Sequence, residues 1–236
     1  MSISLGERIV PIGLTTYSQG SLPSEAVGAA SLLYENQDWL WPESGGKDLA
    51  TLSPEIEFLD LTMDGATTES VLSYQLPQLS DDTGGPTLVT LTVGGNDLLG
   101  LLGEPPDWAA QHVERIIENL RRIIEAIRSH FDDVTILIGT VYDPSDGLND
   151  LGDGVVRERE AGWLAQYNEA VREMESTENC MLADIHAHFI GHGLSEPNPT
   201  ERWYWDQSII EPNARGASEV RRVWFSRLQE LGFLSD

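Results

Sequence analysis

Residues Leu88-Val89-Thr90-Leu91-Thr92-Val93 are apolar or β-branched without a break, and they run straight into Gly94-Gly95-Asn96-Asp97. A strand with one wet face alternates apolar and polar residues, so an unbroken run reads as a strand covered on both faces, as in a parallel sheet. Val134-Thr135-Ile136-Leu137-Ile138-Gly139-Thr140-Val141 repeats the pattern. Ile9-Val10-Pro11-Ile12, the alternating Glu57-Phe58-Leu59-Asp60-Leu61-Thr62-Met63 and the short Met181-Leu182-Ala183-Asp184-Ile185 complete a set of candidate strands. Helical patterns fall between them. Ser24 offers an N-cap ahead of Ala26, Val27, Ala29, Ala30, Leu32 and Leu33, and Asp64-Gly65-Ala66-Thr67-Thr68 turns into a helix carrying Val71, Leu72 and Leu76. From Trp108 to His130, Val113, Ile116, Ile117, Leu120, Ile123, Ile124 and Ile127 recur at helical spacing, and further helices are expected from about Glu158 to Glu175 and from Ala217 to Leu231. The alternation predicts one α/β domain over residues 1–236, a three-layer α/β/α fold with a central parallel sheet of about five strands and ligands at the strands' carboxyl ends.

Charge narrows the partners. The chain has 39 acidic and 14 basic residues, a net charge of -25, and Lys47 is its only lysine. Such a surface repels nucleic acid and anionic membranes. The acids are scattered along the chain and do not cluster at ligand spacing, which fits a hydrated, halophile-like carboxylate shell suited to a salt-rich cytoplasm better than a metal site. Cys180 is alone, no stretch of about 18 apolar residues occurs, and Met1-Ser2-Ile3-Ser4-Leu5-Gly6-Glu7 lacks the regions of a signal peptide. The expectation is a soluble cytoplasmic protein without membrane insertion, metal or cofactor. Nothing in the sequence fixes an oligomeric state.

Several loops together resemble the SGNH (GDSL) hydrolase family, which shares a flavodoxin-like sheet and keeps four separated blocks around one active site. Gly94-Gly95-Asn96-Asp97 after a strand matches the third block fully, and Asp64-Gly65-Ala66-Thr67-Thr68, with Val71 and Gln75-Leu76-Pro77 following, is similar to the second. Thr140-Val141-Tyr142-Asp143-Pro144 and Ala183-Asp184-Ile185-His186-Ala187-His188-Phe189 look like connecting segments of the family. The resemblance implies an acyl-transfer site in which Asn96 and the Gly65 N–H hold the oxyanion. Preorganised donors of this kind matter because losing one typically costs about 100- to 1000-fold in rate. Gly94-Gly95-Asn96-Asp97 alone would read as a turn, since these residues dominate turns for backbone reasons.

Two blocks depart from the family. Its first block reads Gly-Asp-Ser-(apolar)-Thr, whereas this chain has Ile12-Gly13-Leu14-Thr15-Thr16-Tyr17. Aligning Gly13 on the family's Gly puts Thr15 at the nucleophile, a shift of one puts Leu14 there, and Ser18 is a weaker alternative. Thr serves as a nucleophile if a base activates it, although its methyl restricts χ1 and crowds attack. The family's last block reads Asp-x-x-His-Pro, and here Ser208-Ile209-Ile210-Glu211-Pro212 puts Ser208 at the Asp and Glu211 at the His. A carboxylate raised in pKa by burial can act as the base. His192 or His188 offers a base from the neighbouring loop, with a structural hydrogen-bonding role as the plainer reading. His186, His188, His192 and Asp184 make a weaker case for a metal, because an i, i+2 pair needs an extended backbone.

Trp203-Tyr204-Trp205 beside Asp206 reads equally as a substrate-pocket lining, with Trp205 and Asp206 as substrate contacts, or as packing under the last helix. Arg215, Arg221 and Arg222 fit an anionic substrate or, more simply, surface ion pairs. Two functions follow. The first is hydrolysis of a small-molecule carboxylic ester or acyl group with a reworked triad, Thr15 as nucleophile and Glu211 or His192 as base, and with Gly65 and Asn96 as oxyanion donors. The alternative is a catalytically impaired SGNH-like pseudoenzyme that binds a ligand or partner without turnover.

Overall fold

Five strands pair in parallel in one sheet: β1 (Arg8–Gly13), β2 (Glu57–Phe58), β3 (Thr87–Thr92), β4 (Val134–Gly139) and β5 (Met181–Ala183). Their order is β2-β1-β3-β4-β5, with Gly13 beside Thr92, Leu91 beside Ile138 and Gly139 beside Ala183. The computed structural model describes residues 8–13, 17–18, 27–79, 85–206 and 208–234. Leu14, Thr15 and the Ser24 cap lie outside the described residues.

Six helices matter for the site: α1 (Ala29–Tyr34), the one-turn α2 (Gly95–Leu99), α3 (Pro106–His130), α4 (Glu158–Thr177), the short α5 (Ile185–Phe189) and α6 (Ala214–Glu230). The sheet's two faces explain its sequence. Val89, Leu91, Ile136 and Ile138 pack against the apolar stripes of α3 and α4, while Leu88, Leu137 and Met181 pack against α1 and α6. Both faces of β3 and β4 are therefore buried, as their unbroken apolar runs require. The result is the expected three-layer α/β/α fold.

Local details differ from expectation where tertiary contacts override pattern. Helix α1 starts at Ala29, after Gly28, which supplies no side-chain cap. The alternating segment from Glu57 forms only two residues of strand. After Thr67, whose hydroxyl and Ser70 make a reciprocal capping box, one turn of α-helix passes into a π-turn (Val71–Gln75) and a 3-10 turn (Leu76–Gln78). His186 and His188 sit on α5 and not in a loop. Helix α6 begins at Ala214, three residues before the expected start, because Asn213 caps it by accepting from the Gly216 N–H at 3.0 Å. Among the described residues no helix is long and apolar enough to cross a membrane.

In this strand order the chain leaves β1 toward β2 on one side, and β3 lies on the other. Ligands in open α/β sheets bind at such a switch point, outside the carboxyl ends of the strands. Gly94-Gly95-Asn96-Asp97 follows the carboxyl end of β3.

Candidate active site

The turn after β3 admits only glycine at position 94. Gly94 has φ of 101°, and a Cβ built there would lie 2.4 Å from Cζ of Tyr167. Tyr167 reaches across from α4 and donates its hydroxyl to the Val93 carbonyl at 2.9 Å, which fixes the end of the strand. The next two side chains bind a different loop. Asn96 donates its amide to the Ala66 carbonyl at 3.1 Å. Asp97 accepts from the Thr68 N–H at 2.9 Å and from the Thr68 hydroxyl at 2.7 Å, and Asn119 of α3 donates to that hydroxyl at 3.3 Å. Burial pushes the Asp97 carboxyl above its usual range, and the Thr68 hydrogen bonds oppose that shift. This is more than a turn: two separated sequence blocks are held together by their own polar side chains.

Asn96 has two amide hydrogens and uses one on Ala66, leaving the other for a ligand. Gly65 stands next to Ala66, exposed, with φ of 71°. A pocket of about 150 Å³ opens beside Asn96 at the carboxyl ends of β3 and β4. Thr92, Asn96, Val141, Tyr142, Ile210 and Glu211 line it together with leucines of α2 and α4 and with the charged Arg157 and Glu160. Glu211 reaches it from a strand segment, Ser208–Pro212, that pairs antiparallel with Tyr204–Trp205.

These segments feel one another's charge. Burial raises the Glu211 pKa above the ordinary 4.5, and the negative charge of Asp64 adds to the shift. Asp64 precedes Gly65, so the second block, Asn96 and Glu211 converge. Burial also raises the Tyr142 phenol, with the Glu211 charge as the second cause. Asp64 and Tyr142 are neighbours of Glu211 that the sequence did not reveal, because their approach to it is made across the fold. Gly65 itself does not line the pocket.

The structure does not bring the histidines to that pocket. His192 stacks flat on Trp203, with ring centres 3.5 Å apart and planes 5° from parallel, and its backbone joins Phe189 and Trp203. Its pKa is lowered, first by burial and then by the His188 charge. His188 is held by Glu219 at 2.8 Å, and Glu219 also accepts from Arg222 at 2.9 Å. On α5 the side chains of His186 and His188 do not share a face, and Asp184 is taken up by Arg172 and Thr140.

The aromatic segment divides between both readings. Trp203 is buried and packs edge-on to Phe189, while Trp205 and Asp206 line a second pocket of about 90 Å³. Pro144 borders both pockets, so the two are neighbours. Arg215 pairs with Glu201 at 2.7 Å, and Arg221 is buried against Ser218 and Asn36. None of the three arginines near α6 lines the main pocket.

A switch-point pocket with an amide donor after β3 defines an SGNH hydrolase fold. The model of the GDSL-like Lipase/Acylhydrolase family matches residues 24–218, and the chain belongs to that family. Among solved structures it is similar to an acetylxylan esterase from Geobacillus stearothermophilus, at 18% identity and a TM-score of 0.60, covering 99% of this chain and 97% of that one. It is also similar to an extracellular lipase from Streptomyces rimosus, at 18% identity and 0.59, covering 94% and 98%. A lipase from a goat rumen metagenome aligns at 15% identity and 0.63, covering 93% and 96%. These likenesses establish a shared fold. No curated protein matches the sequence significantly.

Proposed function

We propose that the chain hydrolyses carboxylic esters or acyl groups, with Asn96 and the Gly65 N–H as oxyanion donors and Glu211 as the general base. The observation that carries this reading is that Asn96 and Glu211 line one largely apolar pocket at the carboxyl end of β3, with Asp64-Gly65 beside them. No described residue hydrogen-bonds to the Glu211 carboxylate, so its lone pairs are available to a proton.

The reaction runs in two balanced halves. Glu211 removes the hydroxyl proton of Thr15 as the oxygen attacks the acyl carbon, and the carbonyl pair moves onto an oxygen held by Asn96 and Gly65. Collapse expels the alkoxide, which takes the proton from Glu211. Water then repeats the sequence on the acyl-threonine and releases the acid. Membership of a lipase and acylhydrolase family supports the reaction type. The loss of both Ser and His favours a second reading, a ligand-binding protein without turnover. For a nucleophile-base unit missing a member, about 1,000- to 10,000-fold over water remains from binding and the oxyanion hole.

Hydrolysis of p-nitrophenyl esters by wild type, Thr15→Ala and Asn96→Ala separates these readings. Asn96→Ala is expected to lower kcat by about 100- to 1000-fold. Full activity in Thr15→Ala would remove Thr15 from this role, and no activity in wild type would favour the binding protein.

A further inference from the structure

One polar group on the pocket wall has no task in the two half-reactions: the hydroxyl of Tyr142. Tyr142 lines the same pocket as Asn96 and Glu211, and no described residue hydrogen-bonds to its hydroxyl. A phenol so placed is satisfied by water or by a ligand.

The fold fixes where that phenol stands. Strands β3 and β4 are neighbours, with Leu91 beside Ile138, so the segments carrying Asn96 and Tyr142 leave the sheet together. Behind Tyr142, the buried Asn168 of α4 donates to the Val141 carbonyl and accepts from the Val141 N–H, both at 2.8 Å. The Tyr142 ring stacks on the buried Phe189, with centres 5.3 Å apart and planes 19° from parallel, and meets Tyr204 edge-on at 5.6 Å. Tyr204 pairs across the hairpin with Pro212, the residue after Glu211. Tyr142 therefore packs on the hairpin that carries Glu211, and a donor clamped in this way is preorganised.

Ester cleavage develops negative charge on two oxygens. The carbonyl oxygen belongs to Asn96 and the Gly65 N–H. The leaving-group oxygen takes its proton from Glu211 and so stands beside that carboxyl, where Tyr142 also lies. Burial and the Glu211 charge both raise the phenol pKa, so the group stays protonated and acts as a donor, not as a base.

We propose that Tyr142 is a further catalytic residue, whose hydroxyl donates a hydrogen bond to the leaving-group oxygen as its bond to the acyl carbon breaks. The electron pair of that bond passes to the oxygen, the proton comes from Glu211, and the phenol keeps its own. Only interactions that strengthen in the transition state accelerate the step, so the donor matters most where the departing oxygen is most basic. It extends turnover from activated aryl esters to esters of alkyl alcohols. The proposal rests on the hydrolase reading, which supplies the leaving group.

The test is kcat/KM for p-nitrophenyl, phenyl and ethyl acetate in wild type, Tyr142→Phe and Tyr204→Phe. The acyl group is the same in all three, and the departing oxygen grows more basic along the series. Tyr142→Phe is expected to lose about 100-fold on ethyl acetate, less on phenyl acetate and scarcely anything on p-nitrophenyl acetate. Tyr204→Phe removes a neighbouring hydroxyl that is sealed in the fold, and is expected to leave the wild-type gradient unchanged. A partly unfolded variant lowers the three rates alike and cannot produce the gradient. Equal losses on the three esters, wild-type turnover confined to p-nitrophenyl acetate, or a Tyr142→Phe variant as active as wild type on ethyl acetate overturns the donor and leaves the hydrolase. No turnover of any ester in wild type overturns the hydrolase reading and the donor with it.

Discussion

At the residue scale the proposed base is Glu211, and its ionisation gives two signatures. Its pKa lies above 4.5 because burial and Asp64 both disfavour the charge. A base must be deprotonated, so kcat/KM is expected to rise with pH through an inflection above the ordinary carboxylate range, and Glu211→Gln is expected to remove that limb. The second signature is stability. A carboxyl with a raised folded pKa binds its proton more tightly in the native state, so ionising it destabilises the fold as pH rises through that window. Glu211→Gln is therefore expected to raise Tm at pH 7, with the gain vanishing below about pH 4, where the group is protonated in both states. Thermal melts at the two pH values check this. Gly94 makes the complementary structural case. Gly94→Ala forces an L-residue to a φ of 101° and a Cβ into Tyr167, and a loss of about 2 kcal/mol or more is expected in urea unfolding.

Connections between elements place these residues. Asp97 ties the turn after β3 to Thr68, and Thr68 to Asn119 of α3. Asp97→Ala leaves the buried Thr68 N–H and hydroxyl without that acceptor, and a loss of about 1–3 kcal/mol is expected by urea unfolding. Activity is expected to fall as well, since Asn96 sits on the same turn. The loop beside the second pocket is tied in the same way: Asp146 accepts from the backbone N–H groups of Gly191, Gly193 and Ser195 and from the Ser195 hydroxyl. The elements themselves were largely legible in the sequence. Unbroken apolar runs marked β3 and β4 because both faces are covered, and the isoleucine spacing marked α3 because its stripe is wide. Less legible was whatever tertiary contacts decide: the early start of α6 set by Asn213, the π-turn after Thr67, and the helical turn carrying His186 and His188. At the candidate site, the blocks that carry Asn96 and Glu211 were legible in the sequence, and the structure places both residues on one pocket while Gly65 stays outside its lining. Asp64 and Tyr142 were not, since proximity across the fold has no local signature, and His192 proved to be stacked on Trp203, away from the pocket.

At the scale of the whole molecule, a net charge of -25 acts on stability through self-repulsion. Salt screens such repulsion, with a Debye length of about 10 Å at 0.1 M and 3 Å at 1 M. Tm is therefore expected to rise steadily between 0.1 and 2 M KCl. A Tm that is flat or falls over that range would count against the reading of the acidic surface as a salt-adapted shell. The fold brings segments far apart in sequence to the switch point of one sheet, and the proposal put to the test is that Asn96 and Glu211 both act there on one substrate. Hydrolysis of p-nitrophenyl acetate by the two single variants and the double variant tests this most directly. A loss of about 100-fold or more is predicted for Asn96→Ala and for Glu211→Gln, with a further loss in the double variant, since an oxyanion donor still contributes where the base is missing. An Asn96→Ala or Glu211→Gln variant at the wild-type rate would contradict it.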